Sequence, residues 1–391
     1  MDKQKVDKAR RETRGCQNII HFNNAGASLM PAPVADYLYR FLRDEEIVGG
    51  YETAAARVME VENFYEATAK LLNARSDEIA FVENATRAWD MVFYALPLRP
   101  GDRILTTVSE YGSNLIAYLH RVRQTGAELI VIEDDKHGQI DTKKLQNSID
   151  DRTKLISISH IPTGGGLVNP AREVGKIARR NGVPFLLDAC QSVGQTPLDV
   201  EEIGCDFLSA TGRKYLRGPR GTGLLYVRKT WIEKLEPPFI DQHAAELVSQ
   251  KDYILRCDAR RFENWERYFA GQAALGKAID YAMEFGLENI QERVFELADT
   301  LREGLSNLFK IKLTDQGQVK CGIVTFQHQS LNAEEIKRIL LSEGINVSVS
   351  SGSGMKLSYL QRGIDSLIRA SLHYFNTNEE IAKFLAIISK L

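Results

Sequence analysis

Val183-Pro-Phe-Leu-Leu-Asp-Ala-Cys-Gln191 is an apolar run that breaks into a carboxylate, a thiol and an amide. Asp206-Phe-Leu-Ser-Ala-Thr-Gly-Arg-Lys214 repeats the form and ends in a lysine. Runs of this length without alternation read as strands buried on both faces, as in parallel sheets. Residues 78–82, 102–108, 128–132, 154–158 and 223–227 share the form, and longer helix-period segments separate most of them. The seven runs predict an α/β fold whose large domain is a mainly parallel seven-stranded sheet covered by helices.

Beyond residue 227 the pattern changes. Helices over 271–283, 292–308, 333–341 and from 378 onward, with a strand over 322–326, predict a smaller α+β region. The expected division is an N-terminal arm over 1–20, a large domain over 21–268 and a small domain over 269–391. The first fifteen residues are basic with no apolar segment behind them, which predicts a frayed amphipathic arm rather than a secretory signal.

Composition excludes several classes. Fifty Lys+Arg oppose 52 Asp+Glu for a net charge of −2, and 43% of the 391 residues are hydrophobic. This is a soluble globular balance with nothing to favour a nucleic acid. No stretch approaches the ~18 apolar residues of a membrane helix, so no membrane partner is expected and a cytoplasmic location is. Five cysteines lack C-x-x-C spacing, which predicts reduced, mostly buried thiols and no metal site.

The runs end in chemically capable clusters: 83–87, Ser109-Glu-Tyr-Gly-Ser-Asn114, His160-Ile-Pro-Thr163, Asp188-Ala-Cys-Gln191 and Thr211-Gly-Arg-Lys214. Ligands of open α/β sheets collect at the carboxyl ends of strands, so these clusters are expected to converge. An amine, a carboxylate and phosphate-type donors are what pyridoxal phosphate needs from a protein. Lys214 is the candidate Schiff-base amine and the acid and base at Cα; the alternative is a solvated surface lysine. Asp188 would keep a pyridinium nitrogen protonated; the alternative is a helix N-cap. Ala85 and Thr86 ahead of an apolar helix, with Thr211 and Arg213, suit a phosphate cup; Thr86 could equally be a plain cap. The turn 218–223 precedes a strand instead of opening a helix, which disfavours a dinucleotide site. Residues 348–355 read as a flexible loop.

The order Asn24-Ala-Gly26, Ala85-Thr86, Glu110-Tyr111, Asp188-x-x-Gln191, Thr211-Gly-Arg-Lys214, Arg369-Ala-Ser-Leu372 resembles the class V aminotransferase family. These are fold-type I pyridoxal phosphate enzymes that include cysteine desulfurases and isopenicillin N epimerase-like proteins. The resemblance implies that Gln191 and Thr163 lie at the ring oxygen, that Tyr111 stacks on the ring where the family usually has histidine, and that Asn24 and Arg369 bind the substrate, Arg369 through its α-carboxylate. It also implies a homodimer acting on an amino acid. Two departures bear on the reaction. Desulfurases carry a nucleophilic cysteine in the stretch matching 346–361, where this chain has serines; Cys321 lies earlier and reads as structural. The segment Arg261-Phe-Glu-Asn-Trp-Glu-Arg-Tyr-Phe-Ala270 lacks a clear counterpart of the threonine that the family's second subunit donates to the phosphate, and resembles the epimerase-like members and the ergothioneine-pathway C–S lyases. The expected reaction is β-elimination from a cysteine-derived or cysteine-sulfoxide substrate, with transamination or epimerisation as alternatives and a non-catalytic regulatory protein as the reading from another class.

Overall fold

All seven apolar runs become strands of one sheet in the computed structural model, which describes residues 1–391. Their order is Ile79–Val82, Gly223–Val227, Phe207–Thr211, Phe185–Asp188, Thr153–Ser159, Arg103–Thr107 and Glu128–Ile132. Gly223–Val227 runs against both of its neighbours, and every other adjacent pair is parallel. The unbroken apolar character of the central runs follows from this arrangement, because each strand supplies side chains to two covered faces. Leu187 and Leu208 point into one layer, beneath helices Val58–Leu72 and Ala171–Arg180. Leu186 and Phe207 enter the opposite layer with Trp89 of helix Ala85–Phe93 and Tyr118 of helix Gly112–Thr125.

A second, antiparallel sheet comprises Ile311–Leu313, Ile323–His328, Ser366–Ser371 and Ser348–Ser351 in that order. Helices Leu287–Ser306, Ala333–Ser342 and Asn378–Ile388 cover it. The expected loop at 348–355 thus begins as a strand: Ser348–Ser351 completes the sheet edge beside the arginine strand, and backbone pairing there outweighs the turn-like serine composition. Helix Phe269–Phe285 packs with Ala32–Val48 and Val58–Leu72 and sends Leu275 and Ile279 into the large sheet's core. The residues that build the small sheet therefore come after it.

The N-terminus is not a frayed arm. Lys3–Arg11 is a helix whose N-cap, Asp2, accepts from Lys5 N–H, and Val6 and Ala9 are buried. Arg10 anchors it by donating to Phe375 O and Glu380, each at 2.8 Å. The next segment pairs Ile20–His21 in parallel with Ile345–Asn346. No helix is long and apolar enough to cross a membrane.

One glycine sets how closely the start of helix Ala85–Phe93 approaches strand Gly223–Val227. A Cβ at Gly223 would lie 2.8 Å from the carbonyl carbon of Asn84 and 3.1 Å from Ala85 N, both backbone atoms. Gly223→Ala is expected to push this helix start away and destabilise the protein by about 1–3 kcal/mol, the usual cost of overpacking. Equilibrium denaturation of the variant checks this.

Candidate active site

Strand register assembles the site. Ser159, Asp188 and Ser209 are direct neighbours across three parallel strands, so the loops leaving these strands open at one level. The chain runs from Arg103–Thr107 outward to Glu128–Ile132 and then returns to Thr153–Ser159 on the other side, which leaves a crevice at the strand ends. An open cavity lies there. Asp188, Gln191, Thr211, Arg213 and Lys214 line it, together with Ala85, Thr86, Tyr111 and Thr163.

Lys214 sits in a hydrogen-bonded turn and lines the cavity, not the outer surface that the solvated-lysine alternative requires. Gly212 N–H donates to Thr222 O at 3.0 Å and Gly218 N–H to Gly212 O at 2.8 Å. Arg217, fully buried at φ +61°, donates to Leu29 O, Tyr374 Oη and Thr13 Oγ1, and its guanidinium lies 4.5 Å from the Phe375 ring centroid. Burial lowers the pKa of the Lys214 amine from 10.5, with Cys190 and Asp188 pulling in the opposite direction. A lowered pKa favours the neutral amine, which is the nucleophilic form.

Asp188 is not a helix cap, since turn residues follow it. Its Oδ1 accepts from Cys190 N–H and its Oδ2 from Asn114 Nδ2, each at 3.0 Å. The capping role expected as an alternative for Thr86 belongs to Asn84, whose side chain accepts from Arg87 N–H at 2.9 Å. Thr86 and Ala85 instead occupy the first two helical positions, whose amides the helix itself cannot satisfy and whose dipole end attracts anions. Arg213 reaches back to Gly26 O at 2.6 Å. Tyr111, 39% exposed, flanks the cavity at the start of helix Gly112–Thr125.

Arg369 meets the cavity through Thr163. Its Nη1 donates to Thr163 Oγ1 at 2.5 Å, which also accepts from Gln191 Nε2 at 3.1 Å. Burial lowers the pKa of this guanidinium. Asn24 corrects the expectation that it binds substrate: it is fully buried, and its amide is committed to backbone, donating to His21 O and Ser371 O while Ser28 Oγ donates to its Oδ1. The preceding residue, Asn23, is the one that faces the arginine, accepting from Arg369 Nη2 at 3.3 Å. Asn114, Ser159 and Cys190 also line the cavity, with Glu110 bonded behind Asn114 and Ser159, and none of the four stood out individually in the sequence. The available signal was the Glu110–Asn114 spacing, one helical turn apart on the loop-to-helix junction.

Residues 20–384 match the family described as aminotransferase class-V. The chain belongs to the class-V aminotransferase family. A probable cysteine desulfurase of Pyrococcus abyssi is 30% identical over 382 residues, 96% of this chain and 94% of the relative. One from Methanothermobacter thermautotrophicus is 29% identical over 96% of both chains. The apo structure of cysteine desulfurase from Thermococcus onnurineus NA1 superposes with a TM-score of 0.91 at 28% identity, covering 98% of this chain and 97% of that one. This class-V chain is a pyridoxal-phosphate-dependent enzyme. The cavity fits that cofactor on its own chemistry. It brings a fixed amine and a held carboxylate together with helix-start amides, and the buried Gln191 Oε1 and Arg369 Nε have no protein partner beside Thr163.

Asn24→Ala is expected to lower thermal stability by about 1–3 kcal/mol, because buried backbone carbonyls lose their donor. Bound cofactor absorbance should persist in the folded variant; thermal denaturation followed at both the protein and cofactor bands separates the two effects.

Proposed function

We propose that this class-V enzyme is a C–S lyase that removes the sulfur substituent from Cβ of a cysteine-derived or cysteine-sulfoxide substrate. The observation that carries this reading is the loop 352–355. It packs beside Tyr111, with Gly112 N–H donating to Gly354 O at 3.1 Å, and the whole stretch 346–361 around it carries serines and no cysteine. Cys321 cannot substitute, since it is fully buried and its thiol is pushed up to about 12 by burial. Cys190 lines the cavity, but burial and then Asp188 raise its thiol pKa too. The relatives named cysteine desulfurases support chemistry at a cysteine C–S bond.

Bound in the cavity, the cofactor would supply an electron sink for charge developing at the substrate's Cα. Lys214 would hold it and move the Cα proton; Asp188 would face the ring nitrogen. Ala85, Thr86, Thr211 and Arg213 would hold the phosphate, Gln191 and Thr163 the ring-oxygen edge, and Tyr111 a ring face. Arg369 would orient the α-carboxylate through its planar fork. The sulfur leaves Cβ with the bonding electrons, and hydrolysis of the released enamine yields pyruvate and ammonia. We infer a homodimer as the working unit: Ile47, Tyr51 and Met59 are 68%, 66% and 79% exposed on consecutive helices, large apolar side chains that a second copy would cover.

The purified protein with pyridoxal phosphate should be yellow, and borohydride should fix the cofactor to Lys214; label on another lysine rejects the assignment. S-substituted cysteines and their sulfoxides should give pyruvate and ammonia without an added keto acid. Turnover that stalls after one equivalent until a keto acid is supplied would establish transamination instead, and Cα inversion without pyruvate would establish epimerisation.

Arg369→Leu should weaken binding of every amino-acid substrate, whatever its side chain, by about 1.5–3 kcal/mol. Equal affinity of the unmodified enzyme for a substrate and its carboxamide would remove this role.

A further inference from the structure

Glu110 is a buried carboxylate that the proposed reaction does not use. It follows strand Arg103–Thr107 and is 1% exposed. Its Oε1 accepts from Tyr111 N–H at 2.7 Å, Asn114 Nδ2 at 3.0 Å and Ser159 Oγ at 2.5 Å. Its Oε2 accepts from Thr106 Oγ1 at 3.1 Å and Tyr118 Oη at 3.4 Å. Five donors on one carboxylate, with no basic partner among them, is more than a loop anchor needs.

The link to the site is a single atom. Asn114 Nδ2 donates to Glu110 Oε1 and to Asp188 Oδ2, both at 3.0 Å. An amide nitrogen has two hydrogens, so this contact uses both and leaves the two carboxylates separated by one bridging group. Asp188 is the charged group facing Glu110. The other elements around it contribute neutral ones: Asn114 and Tyr118 from helix Gly112–Thr125, Thr106 from its own strand and Ser159 from the adjacent strand. Glu110 is almost wholly buried, so charge on one carboxylate acts on the other at a lower effective dielectric than in water.

We propose that Glu110 and Asn114 are positioning residues for Asp188: the Asn114 bridge fixes the Asp188 carboxylate in the cavity, and the charge state of Glu110 sets the field it works in. The inference rests on the reading of Asp188 as the partner of the cofactor's ring nitrogen. Burial pushes Glu110 up to about 7, opposed by the Ser159 hydrogen bond and reinforced by the Asp188 charge. The device therefore changes state around neutral pH. Because the folded-state value lies above the ordinary 4.5, Glu110 favours the folded form at low pH, and that contribution is lost as pH rises from 4.5 to about 7.

The test uses the holoenzyme, with its visible cofactor absorbance titrated across neutrality and thermal stability measured in parallel. The wild type should show a spectral transition with a midpoint near 7. Glu110→Gln should abolish it and also remove the fall in stability between 4.5 and about 7. The isosteric amide can still accept from Asn114 and Ser159 while donating to the Thr106 and Tyr118 hydroxyls. Ser159→Ala, which deletes a bond that favours the charged form, should move the midpoint upward and carries the test if Glu110→Gln does not fold. Asn114→Leu should weaken cofactor retention about tenfold, the equivalent of one charge-assisted bond. A spectral transition unchanged in Glu110→Gln, or a midpoint unmoved in Ser159→Ala, overturns the proposal while the cofactor site stands. No visible band and no borohydride adduct on Lys214 in the wild type overturns both.

Discussion

In-register parallel pairing of the strands that end at Ser159, Asp188 and Ser209 is the constraint on which the rest of the molecule depends. Leu186 and Leu187 enter opposite apolar layers. A one-residue slip would exchange those faces and drive the Asp188 carboxylate into hydrocarbon, so the burial that stabilises the sheet also fixes where the carboxylate stands. The same pairing sets Ser159 beside Asp188, and through Ser159 it fixes Glu110. Core formation and site geometry are thus one event in this sheet.

Directional bonds, rather than ion pairs, hold the cavity's walls. Most ion pairs lie on the surface, where they contribute little. Around the cavity, buried groups are matched to neutral partners: Asn114 between two carboxylates, Thr163 between Gln191 and Arg369, and Arg217 among hydroxyls, a carbonyl and aromatic rings. Such networks fix position closely because each donor has few acceptable acceptors, and a misplaced group leaves its neighbour unpaired. A second instance braces the sheet's edge, where the buried Glu263 carboxylate accepts from Tyr65, Phe81 N–H and His243.

The strands were legible because residues buried on both faces leave an unbroken apolar signature, and Lys214 and Asp188 because each stands where such a run stops. Other features depend on contacts far apart in the chain. The N-terminal helix looks like a free basic arm until Phe375 and Glu380 are folded against Arg10. Ser348–Ser351 has little strand character of its own and takes it from the arginine strand. Asn23 and Asn24 are adjacent and chemically identical, and only the backbone's direction decides which faces Arg369. Asn114 reads as one more polar residue near a helix start, because nothing local shows that a carboxylate from residue 188 meets it.

Arg217 ties the turn carrying Lys214 to residues 13, 29 and 374, at sequence separations of 204, 188 and 157. During synthesis Arg217 emerges 157 residues before Tyr374, the last of these anchors. Until then the guanidinium lacks its aromatic cage, and burying it there is unfavourable. A nascent chain can therefore lay down the large sheet before the turn that carries Lys214 has its last anchor. Vectorial synthesis thus leaves this turn unfastened until the distal segment is made.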